Sequence, residues 1–152
     1  MEKGVTPEET LSWEEYLKET FSLPERDWEQ YSPLTLAYIG DSVYDLLIRT
    51  VLVKQGNTQT ARLHGGASRL VRAGAQARIA EKLLPHLTPQ EEGVYRRGKN
   101  SKPAHTAKNA DRREYLEATG FEALLGYLYL KGDYRRMIDL VKLGLEESGY
   151  GL

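Results

Sequence analysis

The sequence predicts an all-α fold, and three observations support this. Apolar residues recur at helical spacing through most of the chain. No segment alternates apolar and polar residues with the period of two that a half-buried strand shows. Glycine and proline residues separate the helical stretches. The 152 residues, of which 40% are hydrophobic, are enough for one compact domain with an appendage.

The start of the chain predicts an acidic extension that precedes the main domain. Residues 1–29 contain nine acidic and three basic residues, so they carry a net charge of −6 and leave +5 on the rest of the chain. The sequence Thr-Pro-Glu-Glu beginning at Thr6 fits a capped helix start, and we expect that helix to run to about Phe21. We therefore divide the chain into an extension, residues 1–30, and a main domain, residues 31–150.

Five helical stretches should form the main domain. They are residues 33–55, 60–84, 90–97, 112–131 and 134–148. Residues 98–110 have neither a helical period nor apolar content, so we expect a long basic loop there. A loop of that length in a compact domain is usually functional or disordered.

Composition excludes several classes of protein. The chain has no cysteine, which excludes disulfides, thiolate zinc sites, iron-sulfur clusters and a cysteine nucleophile. The N-terminus is acidic where a signal peptide would be basic and then apolar. No apolar run approaches the ~18 residues that a membrane span needs. We therefore expect a soluble, cytosolic protein.

Two acidic residues stand in the two most apolar helical stretches. Asp41 lies on the stripe that otherwise faces the core, and Glu122 interrupts the apolar run between Phe121 and Tyr129. A buried carboxylate is costly unless it is paired, hydrogen-bonded or bound to a cation. If the two helices are neighbours, both carboxylates come within reach of one hard cation. Mg²⁺ is the preferred candidate, because it binds a few carboxylate oxygens and keeps its waters.

Each acid also has a structural interpretation. Asp41 could hydrogen-bond the backbone at a helix irregularity. Glu122 fits the third position of a capping box whose cap is Thr119. Asp45, one turn after Asp41, either joins the pair or faces solvent beside Arg49. The residue pattern alone leaves these alternatives open.

A basic segment, residues 96–113, is the best candidate for a polyanion site. It contains seven basic residues and one acidic residue, with small hydrogen-bonding side chains between them. The exposed side predicted for residues 60–84 is also basic. A charge run is often only a solvated face, but the mixture of side chains favours nucleic acid. The candidate RNA-binding residues are Arg69, Arg72, Arg78, Arg96, Arg97, Lys99, Asn100, Lys102, Lys108 and Asn109.

Several motifs together resemble those of ribonuclease III enzymes. The stretch AYIGDSVYD, residues 37–45, resembles the signature of the ribonuclease III catalytic domain. The stretch FEALLGYLYL, residues 121–130, resembles the second carboxylate motif of that domain. The stretches LHGGASRLVRAGAQA, RGKNSK and TAKNAD, without a double-stranded-RNA-binding domain after them, are similar to the Mini-ribonuclease III type. The resemblance covers about residues 32–148.

The resemblance implies an all-helical homodimer that cuts double-stranded RNA with Mg²⁺, leaves 5′-phosphate and 3′-hydroxyl ends, and matures the large-subunit (23S) ribosomal RNA precursor. Asp41 matches the catalytic aspartate of the first motif, Glu122 matches the metal-binding glutamate of the second, and Gly40 matches the glycine before the aspartate. Full-length ribonuclease III has two further acids where this chain has Ala37 and Thr119. The alternative function is a non-catalytic helical module that binds RNA or the ribosome.

Overall fold

The computed structural model describes residues 12–101 and 111–152, and every helix or strand assigned within those ranges is a helix. The all-α prediction is confirmed. The chain divides into two compact units, Met1–Gln30 and Tyr31–Leu152. Within the described ranges, no helix has both the length and the apolar character that crossing a membrane requires.

The described part of the first unit contains helix α1, Trp13–Phe21, and a 3₁₀ turn at Trp28–Gln30. Ser12 is the N-cap of α1. Its hydroxyl accepts a hydrogen bond from the backbone N–H of Glu15, whose carboxylate accepts one from the N–H of Ser12, which forms a capping box. The prediction of one continuous helix over residues 6–21 is wrong, because the backbone of Ser12 is extended and the helix begins after it. The predicted start at Thr6 lies outside the described residues.

The second unit contains six helices in its described residues. They are α2, Pro33–Gln55; α3, Thr60–Val71; α4, Ala73–Leu83; α5, Pro89–Lys99; α6, Arg112–Lys131; and α7, Tyr134–Glu147. The single helix predicted over residues 60–84 is wrong. Arg72 adopts an extended backbone, with φ −72° and ψ 159°, and separates α3 from α4.

Helix α6 is the centre of the second unit. Nearly all of its residues from Glu117 to Leu128 are buried, and α2, α4, α5 and α7 pack against it. Tyr44 of α2 contacts both α6 and α3. Its ring meets the ring of Phe121 edge-on, with centroids 5.1 Å apart, and its hydroxyl donates to the carbonyl of Leu70 at 2.8 Å.

Two glycines let α2 and α6 meet backbone to backbone. Gly40 of α2 faces the main-chain carbonyl of Glu122, and Gly126 of α6 faces the main-chain carbonyl of Leu36. A methyl group at either glycine would overlap a carbonyl oxygen of the other helix. A carbonyl in a helix cannot rotate away as a flexible side chain can, so only glycine fits at both positions.

This contact predicts a large effect of the substitution Gly126→Ala. The added methyl group forces the two helices apart, and we expect a loss of about 3 kcal/mol or more in the free energy of unfolding. Urea unfolding followed by circular dichroism measures this loss.

Gly65→Ala is the matched control. A methyl group at Gly65, in α3, would meet no atom within 4 Å. Alanine has the higher helix propensity, so this variant should be as stable as the native chain or up to about 1 kcal/mol more stable. Equal stability of the two variants would contradict the backbone contact between α2 and α6.

Candidate active site

The crossing of α2 and α6 brings Asp41 and Glu122 together. Asp41 directly follows Gly40, and the carbonyl that Gly40 faces belongs to Glu122 itself. The charge of Asp41 and hydrogen bonding with Asp41 both raise the pKa of Glu122, so the two carboxyl groups lie close enough to interact. The two acids are 81 positions apart in the sequence, and their meeting is a consequence of the helix contact.

The two acids differ in exposure. Glu122 is half-buried, whereas Asp41 is exposed. The expectation that Asp41 faces the core is therefore wrong. The core-facing positions of this part of α2 include Ala37, Gly40 and Tyr44, and Asp41 lies about 100° further around the helix from Gly40. Helix α2 also runs through Asp41 without interruption, so Asp41 does not stand at a helix irregularity.

Burial, the charge of Asp41 and the hydrogen bond with Asp41 together raise the pKa of Glu122 to about 8. The ionised form of Glu122 is therefore costly in this setting. Among the described residues no cationic side chain acts on Glu122, and two neighbouring carboxylates form a donor set that suits a hard divalent cation.

The capping interpretation of Glu122 is wrong. Thr119 lies inside α6 rather than at its start, and its hydroxyl donates to the carbonyl of Tyr115 at 3.0 Å. A threonine that bonds back to the preceding turn is an ordinary mid-helix arrangement. Glu122 therefore has no capping role in this fold.

Asp45 does not join the pair. Its carboxylate accepts a hydrogen bond from Nε of Arg49 at 3.1 Å, one turn further along α2. Among the described residues, no group of three or more histidine, aspartate or glutamate side chains could hold a metal ion. A donor set of two carboxylates still fits Mg²⁺, because this ion commonly takes one or two protein carboxylates and completes its shell with water and phosphate oxygens.

A third residue at the site, Gln76, was not predicted from the sequence. Gln76 lies in α4 and is only 2% exposed. Its amide donates to the carbonyl of Val71 at 2.7 Å and forms a hydrogen bond with Glu122 that lowers the pKa of that acid. The signal was present in the sequence, because Gln76 shares a helical stripe with the buried Ile79 and Leu83.

The basic candidates in the described residues lie on the surface of three helices. Arg69, Arg72 and Arg78 are exposed on α3, at the α3–α4 junction and on α4, and Arg96 and Arg97 are exposed on α5. Lys99, the last residue of α5, is half-buried, and Asn100 follows as its C-cap. Lys102, Lys108 and Asn109 lie outside the described residues.

Two of these arginines have partners among the described residues, and a third lines a cleft with acidic side chains. The guanidinium of Arg69 lies 5.8 Å from the centre of the Tyr150 ring, and Arg96 forms an ion pair with Glu92. Arg78 lines a polar cleft of about 780 Å³ together with acidic side chains, among them Glu81. Such contacts are weak at an exposed surface, so they leave these side chains able to turn toward a polyanion.

Comparison with known proteins identifies the family. The model of the ribonuclease III domain matches residues 34–133. Mini-ribonuclease 3 of Symbiobacterium thermophilum is 47% identical over 110 residues, which cover 72% of this chain and 85% of that protein. Mini-ribonuclease 3 of Enterococcus faecalis is 42% identical over 126 residues, which cover 82% of this chain and 96% of that protein.

A solved structure agrees with these matches. A crystal structure of a protein from Fusobacterium nucleatum superimposes with a TM-score of 0.70 at 27% identity, and covers 81% of this chain and 98% of that one. An all-α domain with this sequence match defines an endoribonuclease, and the chain belongs to the ribonuclease III family. Within that family its relatives are Mini-ribonuclease 3 enzymes. This membership sets aside the alternative of a non-catalytic module.

Proposed function

We propose that this endoribonuclease depends on Mg²⁺ and cleaves double-stranded RNA in the cytoplasm, with 5′-phosphate and 3′-hydroxyl ends as products. We further propose the precursor of large-subunit (23S) ribosomal RNA as its substrate, on the strength of the likeness to Mini-ribonuclease 3. The observation that carries the catalytic part is the interacting pair of Asp41 and Glu122, which the backbone contact between Gly40 and Glu122 brings together at the crossing of α2 and α6.

In this proposal Asp41 and Glu122 hold the Mg²⁺ ion. When bound, the ion supplies positive charge that polarises the phosphodiester and lowers the pKa of water. Glu122 belongs to α6 and is half-buried, so the surrounding residues limit the rotation of its side chain and hold it in a fixed position. The exposed Asp41 leaves one side of the pair open to solvent, so a phosphodiester can approach from that side.

Exposed basic residues supply the affinity for RNA in this proposal. An A-form duplex presents phosphates and 2′-hydroxyls along a wide, shallow minor groove, so proteins recognise it mostly through its shape and charge. The ten candidate RNA-binding residues have the required chemistry. They lie in the part of the chain that carries the net charge of +5.

The same enzyme acts as a homodimer in this proposal. Tyr38 is 80% exposed and Leu34 is 37% exposed, and the two lie one turn apart on the outer face of α2. Tyr38 is also three positions before Asp41, so this apolar face adjoins the acid pair. A second copy packed there would bury both side chains and would bring two acid pairs to the two strands of one duplex.

The first prediction of this proposal tests the acid pair. Asp41→Asn and Glu122→Gln each remove one carboxylate, so each should lose several kcal/mol of transition-state stabilisation, which is about 10³-fold or more in cleavage rate. Single-turnover cleavage of a labelled RNA duplex in Mg²⁺ measures the loss, and single-stranded RNA of the same sequence tests the duplex preference.

Asp45→Asn is the control for this prediction, because Asp45 is one turn from Asp41 and pairs with Arg49. It should cleave at close to the native rate. Binding of the duplex without divalent ions, followed by fluorescence anisotropy, should be similar in all three variants. Native cleavage by a folded Asp41→Asn or Glu122→Gln variant would remove that residue from the mechanism.

The second prediction of this proposal concerns the basic segment, residues 96–113. Neutralising Lys99, Lys102 and Lys108 together by glutamine should weaken duplex binding and reduce the slope of log affinity against log salt by up to about 3, since each phosphate contact contributes a little under one. A salt titration of duplex binding measures both quantities.

A second triple variant controls for net charge. Lys18, Lys54 and Lys142 are charged residues elsewhere in the chain, and changing all three to glutamine removes the same charge. This variant should keep the native salt slope. If the two triple variants behave alike, the loop is only a solvated face.

The third prediction concerns the dimer. Tyr38→Glu places a charge in the proposed contact and should convert the protein to a monomer, because burying an unpaired carboxylate is costly. Sedimentation velocity gives the mass in solution. Ile138→Glu, at a 50% exposed position of α7, should remain dimeric. A monomer from Ile138→Glu and a dimer from Tyr38→Glu would place the contact on another face.

A further inference from the structure

Gln76 has an unusual hydrogen-bonding state for a buried amide. It is 2% exposed and lies among the buried residues of α4. Its side-chain nitrogen donates to the main-chain carbonyl of Val71 at 2.7 Å. That carbonyl can only accept, so the nitrogen of the amide must face Val71 and the orientation of Gln76 is fixed.

One N–H group and the oxygen of this amide remain after the bond to Val71. The amide has two N–H groups, of which one serves Val71 and the other is available for Glu122, to which Gln76 is hydrogen-bonded. Its Oε1 is buried and has no hydrogen-bond partner among the described residues. Most buried polar atoms in proteins have a partner, so an unpaired acceptor on a side chain that interacts with Glu122 needs an explanation.

We propose that Gln76 is a positioning residue for the acid pair: its amide turns the Glu122 carboxylate toward Asp41, and its free Oε1 accepts a hydrogen bond from water in the site. This inference rests on the proposed function, in which Glu122 binds a divalent ion. An amide suits the task because it donates to the ionised carboxylate without adding a positive charge that would compete with the ion.

A purely structural role is the competing explanation. The bond to Val71 joins the end of α3 to α4, so Gln76 could simply secure that junction. Tyr44 offers a matched comparison, because its hydroxyl donates to the neighbouring carbonyl of Leu70 from a buried position. Tyr44→Phe therefore removes a similar buried hydrogen bond at the same helix end without removing a partner of Glu122.

The experiment measures Mn²⁺ binding by isothermal titration calorimetry on the full chain without RNA. The variants are Gln76→Met, which keeps the shape of the side chain and removes its hydrogen bonds, and Tyr44→Phe. Removing a residue that orients a metal ligand typically costs 10–100-fold in affinity. We expect about that loss for Gln76→Met and native affinity for Tyr44→Phe, with both variants shown to be folded by circular dichroism.

Cleavage kinetics give a second readout. Gln76→Met should lower kcat and leave the KM for duplex RNA close to native, and higher Mn²⁺ should restore part of the rate. If Gln76→Met does not fold, Gln76→Asn replaces it, since it keeps the amide but withdraws it from Glu122 by one methylene. Native Mn²⁺ affinity in the folded Gln76 variant, or an equal loss in Tyr44→Phe, would overturn the inference.

The failure of this inference is distinguishable from failure of the proposed function. If the native chain binds no Mn²⁺, or if Glu122→Gln binds it as well as the native chain does, the metal role of the acid pair is wrong. If the native chain binds Mn²⁺ through that pair and the Gln76 variant binds equally well, only the role of Gln76 is wrong.

Discussion

The close contact of α2 and α6 is the constraint on which the rest of the site depends. Helices that meet through ordinary side chains keep their axes about 8–10 Å apart. Here Gly40 and Gly126 remove the side chains from the contact, and each faces a carbonyl of the other helix. The side chains that flank this contact on the two helices are therefore brought close together. Asp41, which follows Gly40, and Glu122, whose carbonyl Gly40 faces, are two such side chains, and their interaction needs this close approach.

Two glutamates of the same domain, Glu91 and Glu122, show how surroundings separate a structural acid from one with a proposed catalytic role. Burial raises the pKa of Glu91, but hydrogen bonds from Arg136 and Thr88 outweigh it and lower the pKa overall. Arg136 holds both carboxylate oxygens of Glu91, at 2.8 and 2.9 Å. For Glu122, burial and then the charge of Asp41 and the hydrogen bonding with Asp41 raise the pKa to about 8, and the hydrogen bonding from the neutral amide of Gln76 offsets only part of that rise. The charge of Glu91 is balanced by Arg136, whereas no cationic side chain of the described residues acts on Glu122.

The sequence predicted α2 and α6 closely, but it predicted one helix where α3 and α4 are separate and did not predict the backbone contact between α2 and α6. The bounds of α2 and α6 follow from apolar periodicity and from Pro33 and Gly132, which are strong local signals. Pairing of the two acids was predicted because each interrupts an apolar helix. Periodicity does not say which glycine meets a neighbouring backbone, so Gly126 was missed. The burial of Asp41 was wrong for a related reason: an error of one position on a helix turns a side chain by about 100°.

The two acids differ in exposure, and in the proposed function this difference pairs a side chain held by the core with one that the substrate can reach. Glu122 and Gln76 belong to the packed interior, where the glycine contact and the bond to Val71 limit their movement. Asp41 stands at the surface on the same crossing. A site buried on all sides would exclude a duplex, and a site exposed on all sides would not hold two like charges together. A half-buried glutamate beside an exposed aspartate meets both requirements of the proposed function, because only the side that faces solvent would then be free to accept a phosphodiester.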